Sequence, residues 1–325
     1  MTDKTLLIGD IGGTNARFAL VSPEQPGFHD AVTLKCADFA SADDAIRHYL
    51  DDVSADSPDV ICLAAAGPII AETVQITNNH WTLDAASMGR DFSIDTVQLL
   101  NDFEAVAYSI LQLQEADSQS VGLPERTSLP VDKFNVAIIG PGTGLGIAGL
   151  IRRANVVIPI VGEGGHISFA PKSQIQVELL HALRNNFDRV SMERLVSGSG
   201  IENIYWALTL IYGEQRTQLS AKEIFAEGLE GGDPRAVEST HIFFEILGQI
   251  AGDVALCMGA TDGVYLAGGI VKRYPTLLQN SGFRNAFESK GRQRTYMERI
   301  PTLLITHDDP GLLGAAYCAL ELSSS

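Results

Sequence analysis

The stretch "LLIGDIGGTNARFAL" sets Asp10 and the pair Gly12-Gly13 between two apolar runs. Glycine accepts positive φ without penalty, so Gly-Gly between strand-like runs predicts a hairpin turn. Such a turn exposes backbone N–H groups that can hold an anion, and the Thr14 hydroxyl adds a donor beside them. It is half of a phosphate site, or a turn and nothing more. "LLNDFEAV" places Asn101-Asp102 where an apolar strand meets a helix. Asp102 there is a good N-cap, and the same carboxylate at the C-terminal end of a strand is placed to accept a hydroxyl proton. "GEGGHISF" sets Glu163 and His166 on either side of two glycines that let backbone approach a ligand closely. A carboxylate accepts hydrogen bonds from two sugar hydroxyls, and a neutral imidazole donates one and accepts another. The plainer alternative for His166 is a satisfied structural histidine; a metal role lacks a second His or Cys at ligand spacing. Glu193 in "VSMERLVSG" is the weakest of the set, since an acid on a helix usually lines a solvated face.

Two nucleotide motifs are excluded. There is no Gly-Lys dipeptide and hence no Walker A loop. Gly144, Gly146 and Gly149 match G-x-G-x-x-G, with Glu163 near the spacing of a ribose-binding acid. The following "LIRRANVVIPIV" carries a turn signal and a β-branched run where a dinucleotide fold needs a helix.

The elements that must position these residues alternate between strand and helix, which implies an α/β layer architecture. The opening hairpin is followed by a helix at "SADDAIRHYLDDV", a buried strand at "VICLAAAG", and a strand running into a helix at "TVQLLNDFEAVAYSILQL". From about Gln112 to Asn135 the chain turns polar with two prolines, a junction between domains. "NVAIIGPGTGLGIAGLI" then repeats strand, glycine turn, strand, which points to a duplicated fold. Mainly helices follow. "LSAKEIFAEGL" opens with the capping box Ser220 and Glu223, and Asp233-Pro234 starts a long helix. "GVYLAGGIV" is a buried strand ending at Gly268-Gly269, and "PTLLITHDDPGLLGAAYCALEL" closes as strand, turn and helix.

With 325 residues the chain is long for one core, and two domains are the natural expectation. A net charge of −17 and a pI near 4.7 argue against nucleic acid or an anionic membrane as partner, since either needs a clustered basic face. Cys36, Cys62, Cys257 and Cys318 lack any zinc spacing and read as buried free thiols in a reducing cytoplasm. The N-terminal apolar run is too short for a signal peptide, and no stretch reads as the roughly 18 apolar residues of a membrane span.

Taken together, "GDIGGTNAR", "TNNHW", "LLNDFEAV", "GPGTGLGIA", "GEGGHISFAP", "ERLVSGSG", "LAGGIV", "SGFRNAFESKGR" and "HDDPGLLGAA" resemble the bacterial ATP-dependent glucokinase family, in order from the first strand to the last helix. The resemblance implies the two-domain fold shared with hexokinase, actin and Hsp70, here 1–112 plus 307–325 and 113–306, and a homodimer. It implies that ATP and sugar meet in a cleft that closes on the sugar and excludes water. Gly9, Asp10, Ile11, Gly12, Gly13 and Thr14 would then form the first ATP phosphate loop. Gly142, Thr143 and Gly144 belong to the second, and Gly268 and Gly269 approach the nucleoside. Asp10 would hold Mg2+ through water. Asp102 would be the general base, with Asn101, Glu163, His166 and Glu193 on sugar hydroxyls. Either Asn78 or Asn79 joins them, the extra asparagine leaving the choice open. No zinc-binding Cys/His cluster of the related repressor and kinase family is present, which places the chain in the zinc-free branch. The implied reaction is ATP plus D-glucose to ADP plus glucose 6-phosphate. A kinase for another hexose is the nearest alternative. A sugar-responsive transcription regulator would need a DNA-reading domain, and an actin-like ATPase would leave Glu163 and Glu193 unexplained.

Overall fold

The expected N-terminal hairpin forms: β1 (Leu6–Ile11) pairs antiparallel with β2 (Asn15–Val21), with Ile11 opposite Ala16. The computed structural model describes residues 4–24, 27–125 and 128–324, so Met1 to Asp3, and Arg126-Thr127 of the polar run, lie outside the described residues. Two units result, 1–114 with 307–325, and 115–306.

The first unit continues through β3 (His29–Lys35), α1 (Ala42–Asp52), β4 (Val60–Ala65), β5 (Thr73–Gln75), β6 (Thr82–Asp84), α2 (Ala85–Phe92), β7 (Thr96–Asn101) and α3 (Asp102–Ser109). The second holds β8 (Ser118–Ser120), β9 (Lys133–Pro141), β10 (Leu145–Arg153), β11 (Val156–Gly162), α4 (Gln174–Leu183), α5 (Gly198–Ile211), α6 (Ala221–Glu230) and α7 (Pro234–Met258). It ends with β12 (Gly263–Leu266), α8 (Gly269–Arg273), α9 (Pro275–Gln279), α10 (Phe283–Glu288), α11 (Arg294–Met297) and β13 (Thr302–Ile305). The chain then returns to the first unit as α12 (Pro310–Ser324).

The first sheet has the order β3-β2-β1-β4-β7, and the second β11-β10-β9-β12-β13-β8. In each, an antiparallel hairpin carries the glycine turn, and two parallel strands are added beside its first strand. The repeated plan is therefore one of topology. β8, which lies in the polar run, adds an antiparallel edge to the second sheet.

Alternation sends successive side chains of β1 to opposite faces. Leu7 and Ile11 join a core with Ile46 and Tyr49 of α1, while Leu6 and Ile8 join one with Leu312 and Ala315 of α12. The second unit has its own core, in which Phe243, Phe244 and Leu247 of α7 meet Ile139 and Leu266. By length and composition α7 could cross a membrane, which corrects the expectation that no such stretch exists; it is a buried core helix. Both anticipated capping signals are present, Ser220 with Glu223 on α6 and Asp233 before Pro234 on α7. The thiols divide: Cys36 and Cys62 are buried, Cys318 is partly so, and Cys257 is exposed on the solvent side of α7.

Candidate active site

Three parallel strands of the first unit end together, with Ile11, Ala65 and Asn101 in register across β1, β4 and β7. Open α/β sheets bind ligands at such carboxyl ends. Asn101 stands at the start of α3 in extended conformation, and its side chain accepts the Phe103 N–H at 3.0 Å. Glu104 completes a capping box by accepting the Asn101 N–H at 3.3 Å. The N-cap is thus Asn101, which corrects the capping role read for Asp102. Asp102 is the first helical residue and accepts the same Phe103 N–H at 2.9 Å. The Asn101 amide donates to the Gly67 carbonyl at 3.2 Å, which fixes its orientation.

Asp10 is one residue short of the end of β1 and directly opposite Arg17 on β2. Arg17 Nη1 lies 3.6 Å from Asp10 Oδ2, and Arg17 Nε lies 3.4 Å from Asp309 Oδ1. Burial pushes the Asp10 pKa up to about 6; Arg17 opposes the rise, and the Asp102 and Asp309 charges add to it. A desolvated carboxylate crowded by two others calls for positive charge, and carboxylate oxygens are the donors a hard divalent cation takes. Among the described residues no three His, Cys, Asp or Glu side chains gather as a direct metal cage.

The Gly12-Gly13 turn forms for a reason other than the expected one. Neither glycine has a positive φ. A Cβ on Gly13 would lie 2.8 Å from the Thr77 carbonyl oxygen, so the requirement is close backbone approach. The Gly12 N–H donates to the Asn15 carbonyl at 3.0 Å, which leaves Gly13 and Thr14 as the remaining donors of the turn. The Asn79 amide donates to the Gly12 carbonyl at 3.4 Å. Ile11 is buried, and its carbonyl accepts the Ala66 N–H at 3.0 Å. A Cβ on Gly9 would meet the Leu63 and Phe18 side chains, so Gly9 serves packing beneath the turn. An open pocket of about 790 Å³ runs along this seam, with Gly13, Thr14, Cys36, Asn78 and Asn79 on its walls.

In the second unit, Gly142, Thr143 and Gly144 link β9 to β10, with the Gly142 N–H on the Gly144 carbonyl at 2.8 Å. The Gly142 carbonyl accepts the Gly198 N–H at the start of α5, at 2.9 Å. Gly268 has φ 92, and a Cβ there would stand 2.5 Å from the Pro141 carbonyl, so the Gly268-Gly269 segment abuts this turn.

Glu193 is not on a solvated helix face. It lies in the short 3₁₀ turn Met192–Arg194, half-buried, and its carboxylate accepts the Leu145 N–H at 2.9 Å. A Cβ on Gly144 would fall 2.5 Å from that carboxylate, so a side chain there would displace Glu193 from the Leu145 N–H. Gly165 packs its α-carbon on the Leu145 carbonyl, where a Cβ would come within 2.2 Å. Leu145 therefore ties the turn to Glu193 on one side and to the Glu163 to His166 segment on the other. Glu163 and His166 are both exposed, their side chains 4.0 Å apart, on the turn Gly164–His166. The Arg189 guanidinium donates to the His166 carbonyl, and Met192 N–H donates to the Ile167 carbonyl at 2.9 Å, aligning this segment with the one that carries Glu193.

Sequence reading missed Arg17 and Asp309. Arg17 shows only with the register: Ile11 faces Ala16, which sets Asp10 opposite Arg17, whereas a two-residue turn at Gly12-Gly13 would have set it opposite Asn15. Nothing local in "HDDPGLLGAA" signals that Asp309 meets a side chain from the N-terminal hairpin.

Comparison with known proteins agrees along the whole chain. The family model described as Glucokinase matches residues 7–322. A glucokinase of Hahella chejuensis is 39% identical over 310 residues, covering 95% of each chain. One of Nitrobacter hamburgensis is 40% identical over 317 residues, covering 97% of each. The crystal structure of a glucokinase from an Antarctic psychrotroph superposes with a TM-score of 0.88 at 35% identity, covering 98% of this chain and 99% of that one. With the two sheets and their glycine turns, these matches give the two-domain α/β kinase fold that the motifs implied, and the chain belongs to the glucokinase family.

Proposed function

We propose that the chain transfers the γ-phosphoryl group of ATP to the 6-hydroxyl of D-glucose, with Asp102 as the general base. ATP-dependent glucose phosphorylation is the activity of the family to which it belongs. The observation that carries the role of Asp102 is its placement at the end of β7, one residue past the cap, in the same carboxylate cluster as Asp10. A base there accepts the hydroxyl proton as the oxygen attacks phosphorus in line. Asn101 and Asn78 or Asn79 in the first unit, and Glu163, His166 and Glu193 in the second, hold sugar hydroxyls. The turns at Gly9 to Thr14 and Gly142 to Gly144 receive the phosphates through backbone N–H groups, with Gly268-Gly269 toward the nucleoside.

Asp10 would hold Mg2+ through water, and Asp309 stands near enough to share in its electrostatics. When bound, the ion neutralises charge that builds on the phosphate oxygens. Asp10 keeps its charge partly through Arg17, which opposes its protonation. The family resemblance further supports a homodimer acting in the cytoplasm.

Asp102→Asn tests the base. Capping rests with Asn101, and an amide oxygen accepts the Phe103 N–H as well, so stability should stay within about 0.5 kcal/mol. Turnover in a coupled assay of ADP release should fall by about 10²–10⁴ while glucose and ATP still bind. A variant that folds and phosphorylates glucose at near the original rate would remove Asp102 from the mechanism.

A further inference from the structure

The two neighbouring asparagines of "TNNHW" are built in opposite ways. Asn78 is in the left-handed region, φ 59, and borders the Gly13 turn. Asn79 is engaged by its own chain at every polar group. Its side-chain oxygen accepts the Trp81 N–H at 3.0 Å, and its backbone N–H donates to the Ile76 carbonyl at 3.3 Å. Its carbonyl accepts from Gln75 at 3.1 Å, and its side-chain nitrogen donates to the Gly12 carbonyl at 3.4 Å.

Trp81 is only 1% exposed and donates its indole N–H to the Phe39 carbonyl at 3.2 Å, so the oxygen side of the Asn79 amide is anchored in the core. A planar amide fixed at its oxygen has little freedom at its nitrogen. The same Gly12 carbonyl receives the Cys36 thiol at 3.7 Å, and the Cys36 N–H donates to the Thr14 carbonyl at 2.9 Å. Two side chains from distant segments therefore draw one carbonyl of the turn inward. The peptide joining Gly12 to Gly13 is planar and trans, so a C=O pulled one way points the Gly13 N–H the other way.

We propose that Asn79 is a positioning residue of the nucleotide turn: by holding the Gly12 carbonyl it aims the Gly13 N–H at a phosphate oxygen, and Asn78 is the asparagine that meets sugar. The identity of the two ligands rests on the glucose kinase reading; the aiming of the turn does not.

Asn79→Asp and the uncharged Asn79→Ala both remove this bond, and because Asp also adds a negative charge beside the turn, the proposal requires the loss of ADP affinity in both. The carboxylate keeps an acceptor for the Trp81 N–H but replaces the donor with an oxygen that repels the Gly12 carbonyl. ADP is titrated calorimetrically without sugar, glucose without nucleotide, and melting is followed in parallel. Asn79→Asp should weaken ADP binding by about tenfold or more and leave glucose affinity within about twofold. Asn78→Ala should give the mirror pattern. Unchanged ADP affinity in Asn79→Asp or in Asn79→Ala overturns the proposal, and so does a loss of glucose affinity as large as that of ADP. Asn79→Ala is titrated alongside; if both Asn79 variants lose the melting transition, the residue serves the fold alone and the proposal fails. Unaltered protein that binds ADP but does not phosphorylate glucose would defeat the glucose reading and leave the ADP result standing.

Discussion

In the first unit the glycine turn is held through the Gly12 carbonyl by neutral donors, the Asn79 amide and the Cys36 thiol. In the second the corresponding turn is held through the Leu145 N–H by a carboxylate, Glu193. The strand plan is the same, but the surroundings differ. Segments 1–114 and 307–325 hold 20 acidic residues against 5 Lys and Arg, whereas 115–306 holds 20 against 18. The first turn stands beside Asp10, Asp102 and Asp309, with Arg17 paired to both Asp10 and Asp309. A duplicated scaffold has thus been divided: one copy gathers negative charge around its turn, and the other uses its charge to shape a loop.

The largest break in this comparison should come from Gly13→Ala. Its Cβ meets backbone at 2.8 Å, which cannot yield as a side chain does, so kcat/KM for ATP should drop by about a hundredfold. Gly142→Ala is the matched change in the second turn, where a Cβ meets nothing within 4 Å. Its melting temperature should stay that of the parent, and steady-state kinetics on both variants would show whether the first turn is indeed the less tolerant.

Next in size is Asp10→Asn, read as stability of the nucleotide-free protein against pH. The folded pKa of about 6 is above the ordinary aspartate value of 3.8, so the folded state binds more protons between these limits. Stability therefore falls as pH rises from about 4 to about 6 and is flat above. Asn removes that loss, and the variant should be more stable at pH 7 by about 1–3 kcal/mol in urea unfolding, although inactive. A variant less stable at pH 7 than the parent would mean that the Arg17 and Asp10 pair outweighs desolvation.

The smallest expected effect is that of Glu193→Gln. Its Oε1 can still accept the Leu145 N–H, so the turn loses only the charge assistance of that bond, about 1 kcal/mol in stability. Equilibrium unfolding of this variant beside Asp10→Asn shows whether removing a carboxylate has opposite signs at the two turns.

Much of this was legible in the sequence because the signals were local. A glycine pair between apolar runs marks a hairpin, Ser220 and Glu223 mark a helix start, and Asn101-Asp102 marks a strand meeting a helix. What escaped was set by distant approach. That Gly13 is glycine for the sake of Thr77, Gly165 for Leu145, and Gly268 for Pro141 depends on which segments come to lie against each other. The same holds for Asp309 against Arg17, which joins opposite ends of the chain. The local signal at Glu193 reads as a helix surface, and only the fold shows its carboxylate meeting a backbone N–H.

The return of the chain as α12 also sets an order of events during synthesis. Leu6, Ile8, Val60 and Cys62 await Leu312, Ala315 and Ala319, which are made only after the second unit. α12 also packs so closely on α3 that a Cβ on Gly314 would lie 1.7 Å from the Ala105 carbonyl oxygen. The second unit is translated in the interval, and at about 5–20 residues per second the nascent N-terminal sheet waits on the order of 10–40 s with one side bare. Asp309 reaches Arg17 only after that wait. A nascent chain accordingly carries no completed acidic cluster until Asp309 has left the ribosome, and translation that stalls before α12 should leave an aggregation-prone sheet although the second unit is finished.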